Sequence, residues 1–287
     1  MSTIATFFRL LTGAQFAPKW GAQFAPKSTA HFKPKYYAQF VRNLQPVHNL
    51  YCEPFVGGAA IFFAKKPSGV EVINDVNKEL VNFYKTVKED FVGLEKEIRI
   101  SLHSRDLHRK AKVIYDNPDM FSEIKRAWAV WVLSTQSFAS MLDGTWGYDV
   151  AKNTTTKKIS NKRDSFTEEY AIRLQNVQIE STDALRIIRA RDCKDAFFYC
   201  DPPYYNSDCG HYDGYSIEDF EALLNTLAKV EGKFLLSSYP SPILKKHTKA
   251  NGWHQVGIEQ GVSVGNNSKK PQKRKVEMLT ANYAIKL

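Results

Sequence analysis

The residues best suited to chemistry in this sequence form one run, Phe197-Phe198-Tyr199-Cys200-Asp201-Pro202-Pro203-Tyr204. It reads as an apolar strand that ends in a carboxylate and two prolines. Prolines cannot donate to a sheet ladder, so they sit where pairing stops. Pro202 and Pro203 therefore fix a rigid exit and present carbonyl oxygens with no N–H of their own. Such an exit suits an amino group on an aromatic base. The exocyclic nitrogen of adenine is a poor nucleophile because its lone pair is delocalised into the ring. The Asp201 carboxylate and the Pro202 carbonyl can accept its two hydrogens and draw the nitrogen toward a tetrahedral geometry. Tyr204 can stack on a base swung out of a duplex. A Pro-Pro turn capped by Asp201 is the plain structural alternative.

A second constellation is Cys52-Glu53-Pro54-Phe55-Val56-Gly57-Gly58-Ala59-Ala60, which leaves an apolar strand and enters an apolar helix. Small residues at 57–60 let the backbone approach a ligand at the end of a strand. Asp75, in Ile73-Asn74-Asp75-Val76-Asn77, lies at the end of the next strand. An acid about 20 positions after such a turn is suited to ribose hydroxyls. It also suits a helix N-cap, and the two roles are compatible. The turn lacks GxGxxG, so an adenosine ligand without a pyrophosphate fits better than a dinucleotide. Loop 205–216, with Asn206, His211, Tyr212 and Tyr215, is expected to border the extruded base. Ser237-Ser238-Tyr239-Pro240 is expected to line the same crevice.

These motifs need strands to carry them. Leu50–Val56 and Val70–Ile73 read as strands separated by a helical stretch. Val76–Ile98 carries apolar residues at helical spacing and predicts one or two amphipathic helices; Ser122–Phe138 predicts another. Met141–Phe166 loses that period and reads as loops with a hairpin. Strand Val177–Glu180, helix Ala184–Arg191 and strand Ala196–Cys200 follow. Helix Ile217–Val230 opens at Ser216, with Asp219 in a capping-box position. Strands Phe234–Ser237 and Glu277–Ala284 end the series. The alternation argues an α/β fold with a mostly parallel sheet.

The 287 residues carry 40 Lys+Arg against 30 Asp+Glu, a net charge of +10 that points to a polyanionic partner. The charge is clustered. Residues 1–52 contain no acid, and basic groups recur at 152–163 and at 269–275. Three such segments around one catalytic motif favour phosphate contacts. An octad repeats as Ala14–Lys19, Ala22–Lys27 and Ala30–Lys35, each copy with a proline that excludes a continuous helix. No apolar run reaches the roughly 18 residues of a membrane span, and residues 3–8 are too short for a signal peptide. Four cysteines without a CxxC pair give neither a disulfide framework nor a zinc site, so no metal is expected, and a reducing cytoplasm is the expected setting.

Asp201-Pro-Pro-Tyr204, Glu53-Pro-Phe-Val-Gly-Gly58 and Asn74-Asp75-Val-Asn77, in this order and with an insert before the Pro-Pro motif, resemble the Dam-like N6-adenine DNA methyltransferases of the alpha arrangement. The similarity runs from about Tyr51 to Tyr283. It implies a Rossmann-like methyltransferase sheet with helices on both faces and an inserted, mainly helical and loop-rich target recognition domain at 97–169. The catalytic domain would then comprise 1–96 and 170–287. The resemblance implies S-adenosylmethionine as cofactor and methyl transfer to N6 of a flipped adenine in double-stranded DNA. It also implies a prokaryotic or phage-encoded, nucleoid-associated protein of restriction–modification type. By position, Glu53, Pro54, Phe55, Gly57 and Gly58 would face the methionine part, Asp75 the ribose and Asp183 the cofactor's adenine. Asp201 would border both cofactor and base, and Asp201, Pro202, Pro203 and Tyr204 would form the catalytic set. The family's N-terminal Gly-Gly-Lys is missing, with Lys27 or Lys35 the nearest substitutes. Methylation of the cytosine exocyclic amine, and a DNA-binding protein with a decayed methyltransferase site, are the competing readings.

Overall fold

The computed structural model describes residues 44–206, 215–261 and 274–286. The octad repeats with Lys27 and Lys35, His211, Tyr212, and Lys269–Lys273 lie outside the described residues. Among the described residues, seven strands form one sheet in the order β3-β2-β1-β4-β5-β7-β6. They are β1 (Leu50–Glu53), β2 (Val70–Asn74), β3 (Val177–Glu180), β4 (Ala196–Cys200), β5 (Lys233–Ser238), β6 (His254–Gly261) and β7 (Arg274–Ala281). Strands β1 to β5 pair in parallel, and β7 runs antiparallel to both β5 and β6. The mostly parallel α/β sheet expected from the alternation is present.

Side chains alternate across a sheet with period two, so each strand feeds two cores. Tyr51, Ile73, Phe197, Tyr199 and Leu235 pack into one, and Cys52, Val72, Phe198, Cys200 and Leu236 into the other. All five residues of β4 are buried, as a central strand covered on both faces must be. The first core takes in α1 (Ala60–Ala64), α2 (Lys78–Glu89), α3 (Phe91–Arg99), α4 (Arg105–Asp116), α5 (Glu123–Gln136), α6 (Thr154–Asp164) and α7 (Glu169–Leu174). The second takes in α8 (Ala184–Arg191), α9 (Ile217–Leu227) and α10 (Pro242–Asn251).

Local chemistry sets the boundaries. Pro54 ends β1 three residues before the expected Val56. Asp90 divides Val76–Ile98 into two helices: it closes α2 and its carboxylate accepts from Gly93 N at 3.0 Å to open α3. Ser216 and Asp219 form the expected capping box on α9.

Three expectations need correction. Met141–Phe166 contains helix α6 rather than loops throughout, and the hairpin is reduced to a single antiparallel bridge, Ser137 with Trp146. The threonines that open α6 are poor helix formers. Packing overrides them: Ile159 and Lys162 are buried, and Asp149 accepts from Thr154 Oγ1 at 2.9 Å and from Thr155 N. Helix α4 lies in a stretch between the two expected helical segments, to which the apolar spacing assigns no element. The last strand spans Arg274–Ala281 rather than Glu277–Ala284, and β6 pairs with it along eight residues. Among the described residues no helix is long and apolar enough to cross a membrane.

Candidate active site

Chain order runs outward in opposite directions from β1 and β4: β1 leads to β2 and β3, and β4 to β5. The strand order therefore reverses between these two neighbours, and ligands in open α/β sheets bind outside the carboxyl ends at that point. Cys52 lies beside Phe198 in the parallel register, so the residues that follow both strands leave at one edge. Those residues are Glu53–Gly58 and Asp201–Tyr204. The topology thus joins the two motifs that the sequence separates by about 150 positions.

The turn after β1 is built by backbone geometry. Gly57 has φ +45°, a conformation that costs an L side chain strain, and Ala59 adopts φ +50° all the same. Hydrogen bonds hold this shape. Gly57 N donates to Asp75 Oδ2 at 2.9 Å, Tyr84 Oη donates to the Gly57 carbonyl at 2.7 Å, and Val56 N donates to Asn74 O at 2.8 Å. Asn74 is buried and spans three elements: its amide donates to Pro54 O at 2.9 Å and Thr182 O at 3.0 Å, and it accepts from Thr182 N at 2.9 Å.

Asp75 Oδ1 also accepts from Asn77 N at 2.9 Å. Burial raises the Asp75 carboxyl, and the N–H groups of Asn77, Gly57 and Val76 oppose that shift. It is not the N-cap of α2; that role falls to Asn77, whose Oδ1 accepts from Glu79 N and Leu80 N. Asp183 caps α8 through Arg186 N at 2.9 Å and is exposed. Its neighbour Thr182 bonds Asn74, which brings it to the same edge as Asp75.

Glu53 is 2 % exposed, and burial pushes its carboxyl up to about 8. The Tyr51 hydroxyl donates to it and Lys65 attracts it, both favouring the ionised form, while Asp201 repels it. Phe55 meets Tyr215 edge-on, with ring centroids 6.5 Å apart. Gly58 is buried with Gly57, Pro202 is buried, and Pro203 is half-buried.

Tyr204 Oη lies 2.9 Å from Asp201 Oδ1 and 2.8 Å from Ser237 Oγ, and Ser237 is hydrogen-bonded to Glu277. The Tyr204 and Tyr239 rings lie 4.5 Å apart. The expectation that 237–240 lines this crevice is supported by both contacts. Burial pushes the Cys200 thiol up, with Asp201 and Glu53 adding to the effect, so no thiolate is available beside the carboxylates.

Tyr84 and Glu277 were not singled out from sequence. Tyr84 looked like one more apolar position of an amphipathic helix, although a phenol on a buried face needs a hydrogen-bond partner. Glu277 is an acid inside β7, which pairs with β5, the strand that carries Ser237; nothing local in the sequence links it to the Pro-Pro motif. Of the basic segment at 152–163, Lys152, Lys157 and Lys158 are exposed. Lys162 is buried and Arg163 donates to Ser101 O at 3.0 Å, so those two serve packing instead.

The donor set fits an adenosine-bearing cofactor. A carboxylate has about four lone-pair sites, so Asp75 retains acceptor capacity beyond its bonds from the N–H groups of Asn77, Gly57 and Val76, enough for a ribose hydroxyl. The Tyr215 hydroxyl is buried without a partner among the described residues. Among those residues no cluster could hold a metal ion. Comparison with known proteins agrees with this chemistry. A sequence model described as D12 class N6 adenine-specific DNA methyltransferase matches residues 33–257. The Type II methyltransferase M1.LlaDCHI of Lactococcus lactis subsp. cremoris is 26% identical over 261 residues, spanning 82% of this chain and 87% of the relative.

Proposed function

Because the chain belongs to the D12 class N6 adenine-specific DNA methyltransferase family, we propose specific roles for its residues in that reaction. Its activity is adenine-specific DNA methylation, which sets the cytosine reading aside. The convergence of Glu53–Gly58 and Asp201–Tyr204 at the β1/β4 edge carries the assignment.

S-adenosylmethionine, the cofactor that methyltransferase families use in general, supplies an electrophilic sulfonium methyl group when bound. Asp75 would hold the ribose hydroxyls, Asp183 would face the cofactor's adenine, and the turn Glu53–Gly58 would pack on the methionine part. Asp201 and the Pro202 carbonyl accept the two hydrogens of the target amine. This holds the nitrogen lone pair toward the methyl group for in-line displacement. Asp201 need not be a strong base, because the alkylated nitrogen is acidic and releases its proton readily. The Tyr204 ring supports an adenine flipped from double-stranded DNA. Residues 97–169 serve as the recognition insert between the two parts of the catalytic domain. The exposed Phe138, Tyr148 and Val150, and the exposed lysines at 152, 157 and 158, support that role.

Asp201→Ala tests the reading. Methyl transfer from labelled cofactor to DNA is expected to vanish while DNA binding persists. Near-normal incorporation by the variant would overturn the assignment of Asp201.

A further inference from the structure

Four side-chain groups form a continuous chain through the crevice wall: the Asp201 carboxyl, the Tyr204 hydroxyl, the Ser237 hydroxyl and the Glu277 carboxyl. The first two oxygens are 2.9 Å apart and the middle two 2.8 Å, and Ser237 Oγ is bonded to Glu277 Oε1. The chain ties the end of β4 to β5 and then to β7, the antiparallel partner of β5.

Each of the three links needs a hydrogen between its oxygens. The two hydroxyls bring one hydrogen each, and ionised carboxylates bring none. With both carboxylates charged, one link would press lone pairs together at hydrogen-bond distance, a cost comparable to an unsatisfied buried polar group. A third hydrogen removes the conflict, and within the chain only a carboxyl end can carry it. A proton on Asp201 would neutralise the acceptor that the amine needs. We propose that the hydrogen resides on Glu277. Glu277 then donates to Ser237, Ser237 to Tyr204, and Tyr204 to Asp201, so every dipole in the chain points at an ionised Asp201. The same bonds fix the Tyr204 ring in the plane it needs for stacking.

Ser237 and Glu277 are positioning residues in this account, acting on the amine through Tyr204 and Asp201. Among the described residues, the titratable groups near the chain include Glu53 from β1, which feels the Asp201 charge, Cys200 from β4, and Tyr239 against the Tyr204 ring. The inference rests on the assignment of Asp201 made above.

Single-turnover methyl transfer by the full chain separates the two. Ser237→Ala and Glu277→Ala are expected to slow turnover about tenfold or more, with KM for DNA and calorimetric cofactor affinity little changed. Glu277→Gln restores a donor through its amide and is expected to stay within about threefold of the wild type. The wild-type minus Glu277→Gln infrared difference spectrum is expected to show the carbonyl band of a protonated carboxylic acid; Glu53 contributes equally to both and cancels. Wild-type turnover in Glu277→Ala, or no such band, overturns the proposal. Thermal unfolding reports whether the alanine variants fold, and the infrared test holds whether or not they do. If Asp201→Ala is inactive while Ser237→Ala and Glu277→Ala turn over normally, this inference alone fails. If Asp201→Ala is active, the reading of the site fails with it.

Discussion

Glu53 stands at the end of β1 as an acid that burial drives toward neutrality, with its carboxyl up to about 8 from an ordinary value of 4.5. Between those two values the folded chain holds a proton that the unfolded chain releases. This group's contribution to stability is therefore present at low pH, falls as pH rises through that window, and stays lost above it. Glu53→Gln, neutral at every pH, escapes the penalty. The variant's thermal stability is expected to overtake the wild type's as pH rises from 5 to 8.5, with an advantage on the order of 1–3 kcal/mol at the top. Parallel unfolding curves would show that Glu53 is ionised throughout. A cationic ligand group beside Glu53 would ionise it and expel the proton. Cofactor binding at pH 7 is then expected to release close to one proton, seen as a dependence of the calorimetric enthalpy on buffer. The stability that Glu53 sacrifices in the free protein matches a role in binding.

Helix α7 is tied to the sheet by charge as well as by packing. Arg173 on α7 donates to Glu71 of β2, with Nη2 2.8 Å from Oε1, and Lys65 at the end of α1 lies 2.5 Å from the same carboxylate. Glu71 is 4% exposed and Lys65 7%, so the triad links three elements out of water. The paired cations hold the Glu71 carboxyl below its ordinary value even though burial opposes them. Removing the shared anion leaves the buried Lys65 and the half-buried Arg173 without their carboxylate, so Glu71→Ala is expected to cost about 3 kcal/mol of stability in denaturant unfolding. A loss under 1 kcal/mol would mean that water reaches the cluster. Nothing in the sequence marks this triad, because Lys65, Glu71 and Arg173 look like ordinary surface charges until the fold buries them. The strands and the two motifs were legible because their signals are local: a proline stop, a glycine turn, an apolar run. Helix α6 was not, since its opening threonines, with Ser160 and Asn161, are weak helix formers and its support comes from the burial of Ile159 and Lys162 and from Asp149 at its start. The strand order at the β1/β4 edge likewise arises from pairing between distant segments. Neither that order nor the Tyr204–Ser237–Glu277 chain has a local signal in the sequence.

The net charge of +10 has a consequence for the chain's dealings with DNA that its core does not share. A buried cation such as Lys162 cannot neutralise a phosphate, so the count of useful charges is smaller than the composition suggests. Among the described residues, Lys157 and Lys158 lie exposed on α6 beside Lys152, with no acid between 150 and 163 to offset them. Each phosphate neutralised contributes a slope of about −0.9 to log K against log salt. Replacing both Lys157 and Lys158 with alanine is therefore expected to lower the steepness of that plot by about 2, uniformly across DNA sequences. Fluorescence anisotropy on duplexes with and without a methylation site, from 50 to 200 mM salt, measures it. Methyl transfer at saturating DNA should stay close to the wild-type rate if these lysines contact only phosphate, since phosphate contacts position the duplex without touching the amine. An unchanged slope would place α6 away from the duplex. A loss confined to one DNA sequence would make the lysines readers of bases rather than of phosphate.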